Sequence, residues 1–222
     1  MSADLVAVTG PHDGVAVLTL KRPGRKNALS IALRDQMSDA LDRLAVDDAF
    51  HALVITGEGD VFSAGFDLDE FASPELADEL WASSDRWHRS LLEFPLPMVA
   101  AVNGAAYGGG FDLAVMCDLR VAATAARFAH PEHSFSQVVY GPLHDLVGGS
   151  VARDLALTGR RVDAEEAHRL GIVNRVVSPA DLLAEARAVA TEIALAPREV
   201  LLAMIAKIRR RAGITPGATL DL

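Results

Sequence analysis

Two glycine-rich turns could present backbone amides to a ligand. One contains the consecutive glycines 108–110, which lie between an apolar run and a predicted helix. Glycines leave the backbone accessible, and the helix directs free N–H groups and its positive dipole end toward the same space. The other turn, at residues 62–67, also follows an apolar run. Two such turns at the ends of neighbouring strands could form an oxyanion hole, which stabilises a developing negative charge.

A nucleotide phosphate is the alternative ligand for a glycine turn. The turn at residues 103–110 lacks the Lys-Ser/Thr ending of a P-loop, and its glycines do not match the G-x-G-x-x-G pattern. Gly57 and Gly59 also follow a predicted strand, but Phe62 occupies the third glycine position. Dinucleotide binding is therefore not expected.

Two carboxylates, Asp112 and Glu132, could move protons beside these turns. Asp112 lies near the start of a predicted helix, where a carboxylate can also serve only to complement the helix dipole. His130 and His133 flank Glu132, but the spacing does not match H-E-x-x-H, and Pro131 prevents a helix from aligning both imidazoles. We therefore expect no metal. One histidine either assists proton transfer or is an ordinary polar wall residue.

The elements that must position these groups alternate between strands and helices, which predicts an α/β fold with parallel crossovers. The strands are predicted at residues 15–20, 52–56, 98–102, 119–122, 127–129 and 172–177. Helices are predicted after Ser30, after Ser73, at residues 111–116, after Asp163 and on both sides of Pro197. Residues 213–222 contain two glycines and a proline and are predicted to form a loose tail.

Composition limits the class of protein. The 222 residues fit one domain or a domain with a short appendage. A net charge of −9 gives no field for a phosphate backbone, so we expect no nucleic acid partner. Residues 1–4 resemble no signal peptide, and no apolar run of about 20 residues could span a membrane. A cytoplasmic location is expected, with the lone Cys117 as a small buried side chain.

Seven segments resemble the crotonase superfamily, the enoyl-CoA hydratases and isomerases. They are residues 22–29, 62–68, 103–110, 116–118, 128–132, 157–161 and 171–177, and they occur in family order. The resemblance implies a spiral of ββα units with a short C-terminal helical segment. The expected organisation is a crotonase-like core at residues 1–178, followed by a helical segment at residues 179–222 that is shorter than usual for the family.

The resemblance also implies a site. The amides of Phe66 and Gly109 correspond to the pair that binds the thioester oxygen of an acyl-CoA substrate. Glu132 and Asp112 correspond to two glutamates that hold a water molecule, although aspartate is shorter by one methylene, about 1.5 Å. Coenzyme A is part of the substrate, so no separate cofactor is expected. The residues implied in CoA and substrate binding are Lys26, Asn27, Ala28, Ala64, Gly65, Phe66, Asp67, Leu68 and Gly109.

The basic loop offers further CoA contacts. Lys21, Arg22, Arg25 and Lys26 either meet the phosphates or form a solvated basic surface. Residues 133–142 replace a glycine-rich segment that lines the acyl pocket in the family. The identity of the substrate's acyl chain therefore cannot be inferred from relatives. A homotrimer or hexamer is expected, although the carboxyl end is short.

Three functions remain open from the sequence. Hydration of a 2-enoyl-CoA in fatty acid metabolism uses both carboxylates, an enoyl-CoA isomerase needs Glu132 alone, and a non-catalytic acyl-CoA-binding protein needs neither. The superfamily also includes thioester hydrolases, decarboxylases and dehalogenases.

Overall fold

The computed structural model describes residues 4–215 and 217–222; residues 1–3, part of the segment where no signal peptide is expected, lie outside them. Its strands are β1 Val6–His12, β2 Val15–Leu20, β3 Ala52–Gly57, β4 Val61–Ser63, β5 Met98–Val102, β6 Ala105–Tyr107, β7 Leu119–Ala123, β8 Arg127–Ala129, β9 Val162–Asp163 and β10 Arg175–Val177. Its helices are α1 Ile31–Val46, α2 Leu68–Phe71, α3 Ala77–Leu92, α4 Gly109–Met116, α5 Gly141–Thr158, α6 Ala164–Arg169, α7 Leu182–Ala194 and α8 Arg198–Ala212.

The strands form two sheets. The larger has the order β1-β2-β3-β5-β7-β10 and the smaller has the order β4-β6-β8-β9. β3, β5 and β7 join the larger sheet, and each is followed directly by a strand of the smaller one. All pairs among β2, β3, β5, β7 and β10 are parallel. The predicted α/β spiral of ββα units is therefore confirmed.

The central strands β2, β3 and β5 of the larger sheet are buried on both faces, and their alternating side chains enter two different cores. Leu18 and Leu20 of β2 join the main core, whereas Val15 and Val17 face a second core formed with α7. Residues after 178 therefore pack into the same hydrophobic core as residues before 178. The boundary at residue 178 divides the chain into segments that share a core, and its use as a domain boundary stays a prediction.

Local signals account for several helix starts. Ser30 Oγ accepts the Leu33 N–H at the start of α1, and the Asp163 side chain accepts the Glu166 N–H at the start of α6, both as predicted. Cys117 is buried as predicted, and burial raises the pKa of its thiol to about 12. In the described ranges, no helix has the length and apolar character needed to cross a membrane.

The prediction of a loose tail at residues 213–222 is wrong for its last part. Thr219–Asp221 forms a 3₁₀ turn, and Thr219 is buried. Asp85 Oδ1 accepts hydrogen bonds from the Thr219 amide at 2.7 Å and its hydroxyl at 2.8 Å. These side-chain contacts to α3 anchor a segment that composition alone marks as irregular. The strand predicted at 172–177 is also shorter, and covers only β10.

Candidate active site

The two predicted glycine turns meet. β4 and β6 pair in parallel, so the turns that follow them lie at the same edge of the smaller sheet. Gly65 and Gly108 both have positive φ, +88° and +52°. A Cβ added to Gly65 would lie 2.7 Å from the Tyr107 carbonyl oxygen and 3.3 Å from the Gly109 nitrogen. Only glycine permits this approach, which brings the two backbones into contact.

The amides of Phe66 and Gly109 are available at this junction. Gly109 is the first residue of α4, where N–H groups lack partners within the helix. Among the hydrogen bonds of the described residues, neither amide has an acceptor. Both residues line a cavity of about 200 Å³. Two donors and the positive end of the α4 dipole therefore border one space, as an oxyanion site requires.

A cluster of three titratable side chains lies beside the same cavity, and two of them, Asp112 and Glu132, line it. Asp112 comes from the first turn of α4, and Glu132 from the 3₁₀ turn Pro131–Ser134 after β8. His130 lies between them: its Nδ1 is 2.8 Å from Glu132 Oε1, and its Nε2 is 3.7 Å from Asp112 Oδ1. Gly108 makes room for the group, because a Cβ there would lie 3.0 Å from Glu132 Oε2.

Burial keeps a proton in this cluster. Asp112 is only 4% exposed, and burial raises its pKa from 3.8 to about 8, with the Glu132 charge acting in the same direction. Burial opposes the charging of His130, but the carboxylates of Asp112 and Glu132 outweigh it and raise the His130 pKa. The cluster therefore retains a transferable proton near neutral pH.

Several polar atoms of the cluster are left without a hydrogen bond. Asp112 Oδ1, His130 Nε2 and Glu132 Oε2 are buried and have no hydrogen-bond partner within residues 4–215 and 217–222. Two carboxylates and an imidazole within 4.8 Å also have the composition of a metal site. His133, the other histidine considered from sequence, instead places Nδ1 3.1 Å from the His130 carbonyl. The expectation of no metal stays a prediction.

The residues predicted to hold CoA divide by position. Ala64, Gly65, Phe66, Leu68 and Gly109 line the cavity. Lys26 is exposed on the basic loop, and Ala28 is buried. Their roles toward a ligand stay predictions.

Asn27 has a structural role in this loop. Its side chain has no exposed surface, accepts the Arg22 N–H and donates to the carbonyls of Glu58 and Val61. These bonds hold the loop against the turn after β3 at a position where Asn27 itself has φ of +51°. The Asn27 side chain is therefore committed to the protein rather than available to a ligand.

Asp67 is likewise committed to the protein. It is 3% exposed and pairs with Arg22 at 2.5 Å and Arg25 at 3.3 Å. Burial acts to raise its pKa, but the hydrogen bond from Arg22 and the nearby charges lower it. Its side chain also caps α2 by accepting the Asp69 N–H. Two of the four basic residues predicted to meet phosphates are thus engaged by this carboxylate.

Comparison with known proteins identifies the family of this chain. The model of the enoyl-CoA hydratase/isomerase family matches residues 10–219. The chain belongs to the enoyl-CoA hydratase/isomerase family. A probable enoyl-CoA hydratase of Mycobacterium leprae (strain TN) is 42% identical over 198 residues, covering 87% of this chain and 76% of the relative. A 4-chlorobenzoyl coenzyme A dehalogenase of Arthrobacter sp is 38% identical over 197 residues, covering 83% and 71%.

The fold agrees with this membership. The crystal structure of an enoyl-CoA hydratase from Bacillus anthracis superposes with a TM-score of 0.90 at 28% identity, covering 96% of this chain and 85% of that one. The crotonase resemblance inferred from seven short segments is confirmed by the family match.

In this member of the enoyl-CoA hydratase/isomerase family the cavity has an apolar wall, and sequence reasoning did not name Phe71 and Trp81 in it. The apolar wall residues are Leu68, Phe71, Trp81, Phe135 and Val139. Phe71 makes edge contacts with Trp81 and Phe135, at centroid distances of 6.2 and 5.9 Å. Trp81 is only partly buried on α3, and no pattern in the sequence distinguished it. The placement of His130 between two carboxylates was also missed, although its neighbour Glu132 was predicted.

Proposed function

We propose that this protein adds water across the conjugated double bond of a 2-enoyl-CoA. In this reaction the thioester oxygen accepts hydrogen bonds from the Phe66 and Gly109 amides. The water oxygen bonds to C3 as the C2–C3 double bond breaks, and the electron pair moves onto the thioester oxygen. Glu132 takes one proton from the water and delivers it to C2, which gives the saturated 3-hydroxyacyl thioester.

One observation carries the proposal: two unpaired amides and two carboxylates border a single cavity. Asp112 orients the water, and its raised pKa suits a neutral group that donates as well as accepts hydrogen bonds. His130 is a positioning residue, because its Nδ1 lies within hydrogen-bond distance of Glu132 Oε1 and fixes that carboxylate. Glu132 Oε2, which makes no hydrogen bond in the described residues, lies beside Gly108.

A second candidate is an enoyl-CoA isomerase that moves a 3-enoyl double bond into conjugation. It requires one base, which takes a proton from C2 and returns it to C4. The raised pKa of Asp112 favours this candidate, since a protonated Asp112 leaves Glu132 as the one ionised carboxylate of the pair. The amide pair would stabilise the same kind of enolate.

The experiment that tests both candidates follows the absorbance of the conjugated thioester. Purified protein is incubated with crotonyl-CoA and longer 2-enoyl-CoAs, and separately with 3-enoyl-CoAs. Asp112→Asn should lower hydration about 10²-fold or more but leave isomerisation nearly unchanged. Asp145→Asn, at an exposed position, is the matched control. Acyl-CoA binding without turnover on either series would overturn both reactions and favour a non-catalytic acyl-CoA-binding protein.

The remaining predictions of the sequence belong to this proposal. CoA lies along Lys26, Ala28 and the turn after β4, and enters as part of the substrate. The chain assembles as a homotrimer or hexamer, which the half-exposed Val200, Met204 and Ile208 of α8 support as an apolar contact surface. A cytoplasmic place in fatty acid metabolism is consistent with the proposed substrate.

A further inference from the structure

His88 lies in the wall of the candidate active-site cavity, on α3, and only 1% of its surface is exposed. Its Nδ1 is 2.9 Å from the Ser84 carbonyl oxygen and 3.1 Å from Thr219 Oγ1. The Trp87 ring packs edge-on against the imidazole at a centroid distance of 4.6 Å. These contacts hold the ring in one orientation.

The partners of Nδ1 determine which nitrogen carries the proton. A carbonyl oxygen only accepts, so Nδ1 must donate to Ser84. The Thr219 hydroxyl lies 2.8 Å from Asp85 Oδ1 and donates to that carboxylate, so it is an acceptor toward His88. Burial, opposed by the bond to Ser84, lowers the pKa of His88 to about 4, which keeps the ring neutral. Nε2 is therefore an unprotonated acceptor.

This acceptor has no partner. Nε2 of His88 is buried and makes no hydrogen bond to the part of the chain that the structure describes. A buried polar atom without a hydrogen bond destabilises the folded protein, so native proteins rarely keep one without a use. Ser136 and Gln137 also line the cavity, but they lie on the partly exposed segment after Glu132. The rest of the wall is mostly apolar or aromatic, as described above.

We propose that Nε2 of His88 accepts a hydrogen bond from a hydroxyl group on the acyl chain of the substrate. The substrate class is then a hydroxylated enoyl-CoA, an apolar chain or ring that carries one donor beyond the reacting carbons. This inference rests on the proposed function for the position of the thioester. A carboxylate does not fit, because it would place acceptor against acceptor. An ammonium group does not fit, because its burial in a mostly apolar wall is costly.

The test compares substrates that differ by one hydroxyl. The pairs are trans-cinnamoyl-CoA with its para-hydroxy derivative, and 2-enoyl-CoAs of several lengths with their terminally hydroxylated forms. Wild-type protein should favour the hydroxylated member of at least one pair about tenfold in kcat/KM. His88→Phe should abolish that preference, and His88→Gln, which keeps an acceptor, should restore part of it. Arg89→Gln, an exposed neighbour on α3, should retain the full preference.

A binding measurement separates failure of this inference from failure of the proposed function. Calorimetry with the corresponding saturated acyl-CoAs reports the preference even when no substrate is turned over. Absence of turnover with a retained preference in Kd would overturn the reaction and keep the hydroxyl site. Equal kcat/KM and equal Kd within every pair for wild-type protein would overturn the inference, and Nε2 would then hold only water. This comparison needs no variant, so poor folding of a His88 variant leaves the result decisive.

Discussion

Two regions of the molecule bury polar side chains, and they differ in how completely those side chains are hydrogen-bonded. In the scaffold, the Arg120 guanidinium donates to four carbonyls, those of Ala114, Cys117, Asp118 and Ile172. Asn27 is satisfied in the same way by the backbone of its loop. In the candidate active site, Asp112, His130 and Glu132 each keep one buried atom without a partner in the described residues.

The difference separates groups that stabilise the fold from groups reserved for a ligand. A buried polar group with all its bonds made contributes to folding, whereas an unpaired one costs free energy until something binds it. His88 combines both states in one ring, with a bonded Nδ1 and an unpaired Nε2. Removal of scaffold groups should therefore lower stability, and removal of site groups should lower activity.

Glu132→Gln gives the largest expected effect. The variant keeps the shape of the side chain but cannot take a proton, so kcat/KM should fall about 10²–10⁴-fold. Its free energy of unfolding should stay within about 0.5 kcal/mol of wild type, because the amide oxygen can still accept a hydrogen bond from His130 Nδ1, and Oε2 has no partner in the described residues. Steady-state kinetics and urea unfolding measure both, with Glu165→Gln as an exposed control. A variant that unfolds easily but stays active would reverse the comparison.

Arg120→Met tests the scaffold side. The change leaves four buried or partly buried carbonyls without their donor, so the free energy of unfolding should fall by about 3 kcal/mol or more. The kcat of the folded fraction should not change, because Arg120 does not line the active-site cavity. Arg43→Met, at an exposed position of α1, provides the control. If the two variants were equally stable, the hydrogen bonds of Arg120 would not stabilise the fold, and the comparison would be wrong.

The pH dependence of stability sharpens the comparison at Asp112. Its pKa is raised in the folded chain from 3.8 to about 8, so between these values only the folded chain holds the proton. The stability that this proton contributes is fully present below the pKa of the unfolded chain, and it is lost as pH rises through the pKa of the folded chain. Over that range the free energy of unfolding falls by at most about 1.4 kcal/mol per pH unit. Asp112→Asn should remove this slope and become more stable than wild type on the alkaline side. Urea unfolding at several pH values checks this, and parallel curves for the two proteins would contradict it.

His130→Phe gives the smallest expected effect. Phenylalanine can keep the contact with the Phe111 ring, whose centroid lies 4.8 Å from the imidazole, but it loses the bond to Glu132. We expect kcat to fall about tenfold. The pH profile of kcat should also lose the part that arises from the coupled titration of Asp112, His130 and Glu132. His130→Asn, which can donate near the Nδ1 position, should recover part of the rate. An unchanged pH profile would make His130 a packing residue only.

Sequence patterns predicted the fold where they were long or locally determined. Five-residue and six-residue apolar runs predicted β2, β3 and β5 closely, and the capping side chains of Ser30 and Asp163 predicted two helix starts. β4 and β6 have only three residues each, too few to display a period, and the sequence indicated them only through the glycine turns that follow them. Of the smaller sheet, only β8 was predicted as a strand. The structure adds α2, whose four residues are also too few for a helical pattern.

The candidate site was partly predictable for the same reason. The turns that present the amides depend on glycines, and glycines can be identified directly in the sequence. The position of His130 between Asp112 and Glu132 depends on how α4 packs against the segment after β8, a contact between distant residues that no local pattern encodes. Anchoring of Thr219 by Asp85 joins residues 134 positions apart, and composition predicted the opposite.

The contact between the turns at Gly65 and Gly108 has a consequence for how the protein could diversify. That contact is made by main chain and held by the pairing of β4 with β6, whereas the wall facing the acyl chain is built from side chains of α3 and the segment after Glu132. Mutation can remodel the wall residue by residue without disturbing the reactive end. An engineer seeking a new specificity would rebuild Trp81, Phe135 or His88 first and leave both bends untouched.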